Sequence, residues 1–549
     1  MRETSFKITA CVCGVFLTVV ASYAAGEEIS REFVQDLGTS QVVSGSLQGP
    51  AQNAGSSFTE ILPSAWEGRG LSAAEVLGAL PGIQYYKQGG LGSFQTVSVR
   101  GIAARSIIVC VDGVPLNDAS GGAVDLGQID LNQVEKIEVY KDYVPVKFGG
   151  SGIGGAVNFV TKGSKLSNNI IGNTSGRALV GYGSHGSYEA SLQLASRLTD
   201  SVTVNAVIST QHSDNDYEFE NRNGTPYNSE DDFTDKRENA EFTEHSGSFK
   251  LRALHANGVF STFSGSINYS EGGTPGREDY QTQVAGFEGE RAVVSYRSEW
   301  PQLWNWLWLE MGVTGKFEKS VAHSYYPLDH IGYASTEFLQ YGAAGYSLLP
   351  EISASYNGER LDASLYMLMN ADYYAARGSS RDWNLSRFKV SPAFETTYRV
   401  LRFLAVGGNA SVQLVKDDIH GGEFVLPTMS SRLESARSRD LSYAARGFIR
   451  LNPEAPWGAS FSAGRYFREP QLMELYGVYP GVVSNPDLRE ETAFRLEAGA
   501  FVKSPSRKTL LQGTYFESHT DNGVVWLVSG SFMKPSNVGE ALIRGFEAE

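Results

Sequence analysis

The sequence predicts an all-β transmembrane barrel preceded by a small α/β domain. Three observations predict it: long segments that alternate apolar and polar residues, tryptophans gathered at segment ends, and a compact mixed stretch ahead of them that lacks long alternation. In "LDASLYMLMNADYY" one face is Leu361, Ala363, Leu365, Met367, Met369, Ala371 and Tyr373, and the other carries Asp362, Ser364, Asn370 and Asp372. "AFRLEAGAFV" sets Phe494, Leu496, Ala498, Ala500 and Val502 against Arg495, Glu497 and Gly499. A soluble β-sandwich also alternates, but its strands usually run to about five or six residues. Trp300, Trp304, Trp306 and Trp308 cluster in "EWPQLWNWLW", as expected of a chain crossing a membrane interface. "WPQL" is expected to be the short turn there.

Bulk properties agree. The chain has 549 residues and a formal net charge of −15, which disfavours nucleic acid as a partner. Sixty glycines and 11% aromatics suggest many turns and many strands.

Residues 1–24 read as a secretory signal. Arg2 and Lys7 give the basic end, Ile8 to Val20 an apolar stretch shorter than a spanning helix, and Ser22-Tyr23-Ala24 the small cleavage-site residues. Of the three cysteines only Cys110 lies beyond the signal, so the mature chain can form no internal disulfide, and Cys110 is expected to be a buried apolar residue. Residues 25–60 are polar and rich in Gly and Ser, an extended arm. Within it "SQVVSG" places two adjacent valines in a polar setting.

Residues 61–165 form the small domain. "SAAEVLGALPG" (72–82) puts Ala73, Val76, Leu77 and Leu80 on one helical face and stops at Pro81-Gly82. Strands are expected at 96–101, 106–113, 134–141 and 155–162. "FGGSGIGGAVNFVTKG" (148–163) contains G-x-G-x-x-G, the dinucleotide-binding pattern, but that pattern needs a helix after it. Here a β-branched and aromatic run follows, so the glycines are expected to serve backbone geometry. No G-x-S-x-G or H-E-x-x-H occurs and the eight histidines are scattered, so no enzyme is expected and no cofactor is required. The longest early connection, 212–245, holds eleven acidic residues. Asp214, Asp216, Glu218, Asp231 and Asp232 are candidate ligands for a hard cation, calcium in an outer loop, although the spacing matches no EF-hand.

"AAEVLGALPGIQ", "VSVRG", "IIVCVDGVPLND", "VEKIEVYK" and "FGGSGIGGAVNFVTK" resemble, in order and spacing, the plug domain of TonB-dependent outer-membrane receptors. "FREPQLMELYG" (467–477), "NPDLREET" (485–492) and "GFEAE" (545–549) resemble that family's barrel. The resemblance implies a plug (61–165) inside a barrel (166–549) of the roughly 22-stranded kind, in the outer membrane of a Gram-negative-type bacterium. It implies import of a scarce metal chelate, ferric siderophore or cobalamin, with energy coupled through the TonB complex. The alternative is a passive porin or adhesin-type barrel. Outer-membrane lipid and the barrel assembly machinery are the other partners implied.

The resemblance also places individual residues. Ser40, Gln41, Val42, Val43 and Ser44 match a TonB box, an extended pentamer able to add a strand to a partner sheet. Arg100 and Lys141 match basic plug positions, and Glu497 and Glu547 match barrel carboxylates that pair with them. Tyr85, Tyr86, Lys87 and Gln88 match the first apical loop, a ligand contact. Two departures stand out. Asp142 occupies a position where the family usually has glycine. The chain also ends in Ala548-Glu549, inside an alternating strand, where the family continues for roughly five to seven strands to a terminal aromatic residue. A C-terminally incomplete barrel is therefore expected, with free edges near 177–183 and 541–549.

Overall fold

The computed structural model describes residues 58–548 apart from 118–119, 164–173, 226, 305, 327–336, 379–380, 421–422, 427–428, 433–436, 454, 478–481, 505–509 and 530–531. The expected signal and the candidate box at 40–44 lie outside the described residues.

The first layer is a mixed five-stranded sheet in the order Phe58–Ile61, Val134–Tyr140, Ala156–Thr161, Ile108–Val111, Val114–Pro115. Its one parallel pairing joins Ile108–Val111 to Ala156–Thr161. The helix covers Ala73–Gly78. It starts at a capping box, where Ser72 Oγ accepts from Glu75 N and Glu75 Oε2 accepts from Ser72 N at 2.8 Å. Its apolar face (Ala73, Ala74, Val76, Leu77) packs with Ile137, Val157 and Phe159 in one core. Burying a side chain of the size of Phe159 stabilises by about 1.5–3 kcal/mol. Cys110 is fully buried as a free thiol in a second cluster, with Tyr140, Tyr143 and Phe148. The imperfect alternation of "VEKIEVYK" has a local cause: pairing with Ala156–Thr161 slips between Val134 and Lys136, which changes the register of faces.

The second layer is a 16-stranded sheet, antiparallel throughout, running in chain order from Thr174–Tyr182 to Glu540–Ala548. Connections at one end are short, as at 200–201, 358–360 and 402–403. At the other end they reach 214–241, 469–490 and 522–539; the first and last carry their own hairpins, and the second a short helix, Leu472–Tyr476. That asymmetry is the barrel pattern of short turns opposite long loops. The face polarity is inverted relative to a soluble protein. Leu365, Tyr373, Phe394, Leu441, Phe461 and Phe494 are exposed, whereas Asp372, Asn409, Gln413, Arg446, Arg495 and Glu497 are buried. A sheet of this size with an apolar exposed face needs a non-aqueous surrounding. No described helix is long and apolar enough to cross a membrane; the strands do the crossing.

"WPQL" is not a turn. Trp300 to Leu303 continue the strand Gly286–Leu303, and the chain reverses at Trp304 to Trp306. The pairing shifts register between Trp300 and Leu303, an irregularity that accommodates Pro301, which cannot donate to a ladder. At the two ends of the sheet, Thr174–Tyr182 pairs with Tyr188–Thr199 and Glu540–Ala548 pairs with Leu510–Asp521. Among the described residues no ladder joins these two outer strands to each other.

The sheet curls around the small domain. Asn132 donates to Glu189 on the second strand at 2.6 Å, Lys250 pairs with Asp112 at 2.9 Å, Lys316 donates to the Asn117 carbonyl at 3.3 Å, and Ser151 donates to Gln413 at 3.3 Å. Contacts continue to Glu547 on the last strand.

Candidate functional site

The interface between the small domain and the sheet interior centres on Arg100. The strand Gln95–Val99 ends just before it, and Arg100 adopts a left-handed backbone, φ 52°. Its amide donates to the Gly82 carbonyl at 2.7 Å, which fixes that turn. The guanidinium thereby faces the sheet. Nη1 donates to Glu497 at 2.7 Å, while Nε and Nη2 grip both oxygens of Glu547 at 2.9 and 2.8 Å. The cation also lies over the Phe516 ring, 4.3 Å from its centroid. Lys141 Nζ is 3.6 Å from Glu547. The structure thus brings together all four residues of the expected ionic cluster. Glu497 and Glu547 reach it because strand alternation turns them inward.

A second cluster lies beside the first, and sequence reasoning did not assign it. Asp142 is buried. Its carboxylate accepts from Arg446 at 2.8 Å and from Ser462 at 3.0 Å. Its carbonyl accepts from Arg495 at 2.8 Å, and Arg495 also bonds the carbonyls of Lys141 (3.0 Å) and Ile153 (2.9 Å). Arg446 lies over the Tyr143 ring at 4.5 Å. Burial alone would raise the Asp142 pKa. The guanidiniums of Arg446, Arg495 and Arg100 outweigh it and hold the carboxyl below its ordinary value. The only sequence signal was that an acidic residue stood where glycine was expected.

The glycine stretch meets this cluster. The run after it, Ala156–Thr161, is a strand and no helix follows, so the stretch is not a phosphate cradle. Gly155 takes φ +81°, and a Cβ there would collide with the Tyr140 carbonyl oxygen. Only glycine allows the turn to lie this close to the end of its neighbouring strand.

Two family models fix the context. Residues 66–156 match the TonB-dependent receptor plug domain, and residues 167–549 match the TonB-dependent receptor-like β-barrel. The chain belongs to the TonB-dependent receptor family. Among curated relatives, the vitamin B12 transporter BtuB of Vibrio vulnificus is 30% identical over 143 residues, 26% of this chain and 22% of that protein. BtuB of Photobacterium profundum is 32% identical over 143 residues, with the same shares. The aligned part thus spans under a quarter of these relatives' length. Among solved structures, the copper transporter OprC superposes with a TM-score of 0.73 at 14% identity, over 89% of this chain and 76% of that one. The ferric yersiniabactin uptake receptor FyuA of Yersinia pestis gives 0.65 at 15% identity, over 91% and 77%. These likenesses establish the fold.

In this receptor the plug's hairpin Ile83–Lys87 and Gln95–Val99 points its turn toward the long-loop end, where Asn215 clamps Leu91 through both backbone groups at 3.0 and 2.9 Å. Tyr85 and Tyr86 are exposed on that hairpin. Lys87 is turned aside to Glu75 at 3.6 Å, and the Gln88 amide closes the turn on the Phe94 carbonyl. Of the four expected apical contacts, Tyr85, Tyr86 and Gln88 are exposed and Lys87 is half-buried.

The expected cation ligands of the acidic connection are spread along a loop that pairs them with other side chains. It folds as a hairpin, Glu218–Asn221 against Phe233–Lys236, which inserts basic groups among the acids. Asp216 pairs with Lys236 at 2.6 Å and with His185 at 3.2 Å, Asp214 with His212 at 3.2 Å, and Asp231 accepts from Thr225 at 2.8 Å. Asp214, Asp216, Glu218, Asp231 and Asp232 supply no convergent set of three ligands. Among the described residues the one group able to do so is His519, Asp521 and Glu540, all exposed.

Proposed function

We propose that this receptor imports a metal chelate of the ferric siderophore or cobalamin class, with the energy supplied through a TonB-type complex, across the outer membrane. The observation that carries the reading is the plug inside the curl of the sheet, held to it by buried ion pairs at Arg100 and Asp142. A pore filled in this way passes nothing until the plug moves. Buried charge pairs of this kind do not rearrange without work, because separating them strands charges in a poorly solvated site. A passive porin needs an open water path, so this arrangement disfavours that alternative.

The roles follow from the placements. Tyr85 and Tyr86, exposed at the long-loop end, are the ligand-facing side chains of the plug. Tyrosine offers a broad apolar face and a hydroxyl at low entropic cost, which suits a chelate with an organic shell. Ser40 to Ser44 are the segment that pairs with the energy transducer by strand addition. The relatives' names span vitamin B12, copper and ferric yersiniabactin, and ligand choice among such proteins lies in loops on a shared scaffold.

The test is growth of a strain lacking the receptor on single iron or cobalamin sources, restored by the full-length gene and by a version lacking residues 36–46. One source should require the receptor, and the shortened version should fail on it. Uptake that survives the deletion would favour passive flow.

A further inference from the structure

Asp142 lies at one corner of the plug, and three features meet there. The first is its pairing with the barrel. Arg446, Ser462 and Arg495 come from three successive barrel strands, Arg437–Leu451, Trp457–Arg468 and Glu491–Lys503. The polarity is the reverse of the Arg100 cluster: here the plug supplies the anion and the barrel the cations. The second is the glycine turn. Arg495 bonds the carbonyls of Lys141, Asp142 and Ile153 together, so one barrel side chain closes both chain segments of the corner.

The third feature is the entry point of the N-terminal arm. The strand Phe58–Ile61 is, among the described residues, the edge of the plug sheet, paired with Val134–Tyr140, with Phe58 opposite Tyr140. Tyr140 precedes Lys141 and Asp142 directly. The rings form a chain across the corner: Phe58 to Tyr140 at 4.9 Å, Tyr140 to Tyr143 at 5.8 Å, and Tyr143 under Arg446 at 4.5 Å. A pull on the arm peels the edge strand from its Phe58 end, since ladder pairs are then broken one at a time. The first pair to part is Phe58–Tyr140, which adjoins the groups that hold the barrel.

We propose that Asp142 is a positioning residue of the transport cycle: a latch of reversed polarity that keeps the plug's N-terminal edge seated on the barrel and yields when the strand Phe58–Ile61 is drawn off Val134–Tyr140. This rests on the energy-coupled reading for its biological use, but the latch itself is a property of the resting receptor. Once the edge strand leaves, Tyr140 loses its Phe58 ring contact and one of its two ladders, keeping its pairing with Ala156. The turn at 141–143 then leans more heavily on its barrel partners Arg446, Ser462, Arg495 and Glu547. Removing the carboxylate charge should have the same effect without any pull.

The experiment is force spectroscopy on the full-length receptor in liposomes, pulled through a handle on its N-terminal arm, together with planar-bilayer conductance of the same preparations. Neither needs a ligand or the energy transducer. Asp142→Asn should lower the force of the first rupture and raise the open time of the pore by roughly tenfold or more, given what one orphaned partner of a buried pair costs. The exchange Asp142→Arg with Arg446→Asp should restore both toward wild type. Ser462→Ala, which removes one hydrogen bond to the carboxylate and leaves the ion pair, should fold normally and show a smaller change in the same direction. Asp142→Asn and Ser462→Ala both matching wild type in rupture force and conductance would overturn the latch. Loss of transport dependence on residues 36–46, with the latch results intact, would instead overturn the coupling reading alone.

Discussion

Arg100 and Glu497 are 397 residues apart in the chain and 2.7 Å apart in space, with both side chains buried. The pair joins the end of a plug strand to the interior face of a barrel strand. Glu547 completes it with a two-point grip on the same guanidinium. The plug is therefore seated by charge as well as by shape.

Removing the cation should loosen the seat. Arg100→Ala leaves Glu497 and Glu547 buried near one another without their main partner, at a cost of about 3–5 kcal/mol. Hydrogen exchange at 95–99 should become markedly faster, while exchange in the barrel strands stays slow. Unchanged protection at 95–99 would show that the pair does not hold the plug.

Acid should unseat the plug with a defined sign. The Asp142 carboxyl is held below its ordinary value by Arg446, Arg495 and Arg100. A depressed folded pKa stabilises the seated state above the unfolded value, about 3.9, and that contribution fades as pH falls through the folded value. Seating measured by conductance should be constant from neutral pH to about 4 and weaken below it. Asp142→Asn should lack that acid-dependent component. Identical acid profiles for the two proteins would exclude the residue as its source.

The glycine turn should resist even a small addition. Gly155→Ala forces a left-handed backbone on a residue with a Cβ and drives that carbon into the Tyr140 carbonyl. Left-handed strain alone is about 1–3 kcal/mol, and the collision adds to it. A plug of lowered thermal stability is the expected result; an alanine variant with wild-type stability would mean that the turn relaxes freely.

Coupling should fail when the box loses a backbone donor. Val42→Pro removes an amide that strand addition uses. Uptake in whole cells should drop to the level of the receptor-less strain, and ligand binding to isolated outer membranes should stay as in wild type. Normal uptake by this variant would place the box elsewhere.

Much of the molecule was legible because its signals are local. Alternation placed the barrel strands and chose which side chains face inward, so Glu497 and Glu547 were read onto the interior face before any contact was known. The helix at 73–78 is legible in the spacing of Ala73, Val76, Leu77 and Leu80 and the stop at Pro81-Gly82, all within one or two turns. Strand ends were less visible. "WPQL" looked like a turn because proline usually ends strands, and only the shifted pairing with Leu307–Tyr326 shows how Pro301 is carried. In the acidic connection, composition counts carboxylates without their neighbours. Its hairpin pairing brought Lys236 to Asp216.

The sequence by itself determined the class of the protein, the two-layer organisation, and the inward or outward sense of the alternating barrel-strand residues. These follow from side-chain periods of two and 3.6 residues, which depend only on near neighbours. The tertiary structure alone decided what Asp142 does. Its partners Arg446 and Arg495 lie more than 300 positions away, on strands whose curvature and register bring them to one corner of the plug. No local pattern encodes such a meeting, because its geometry is set by how the whole sheet curls around the domain within it.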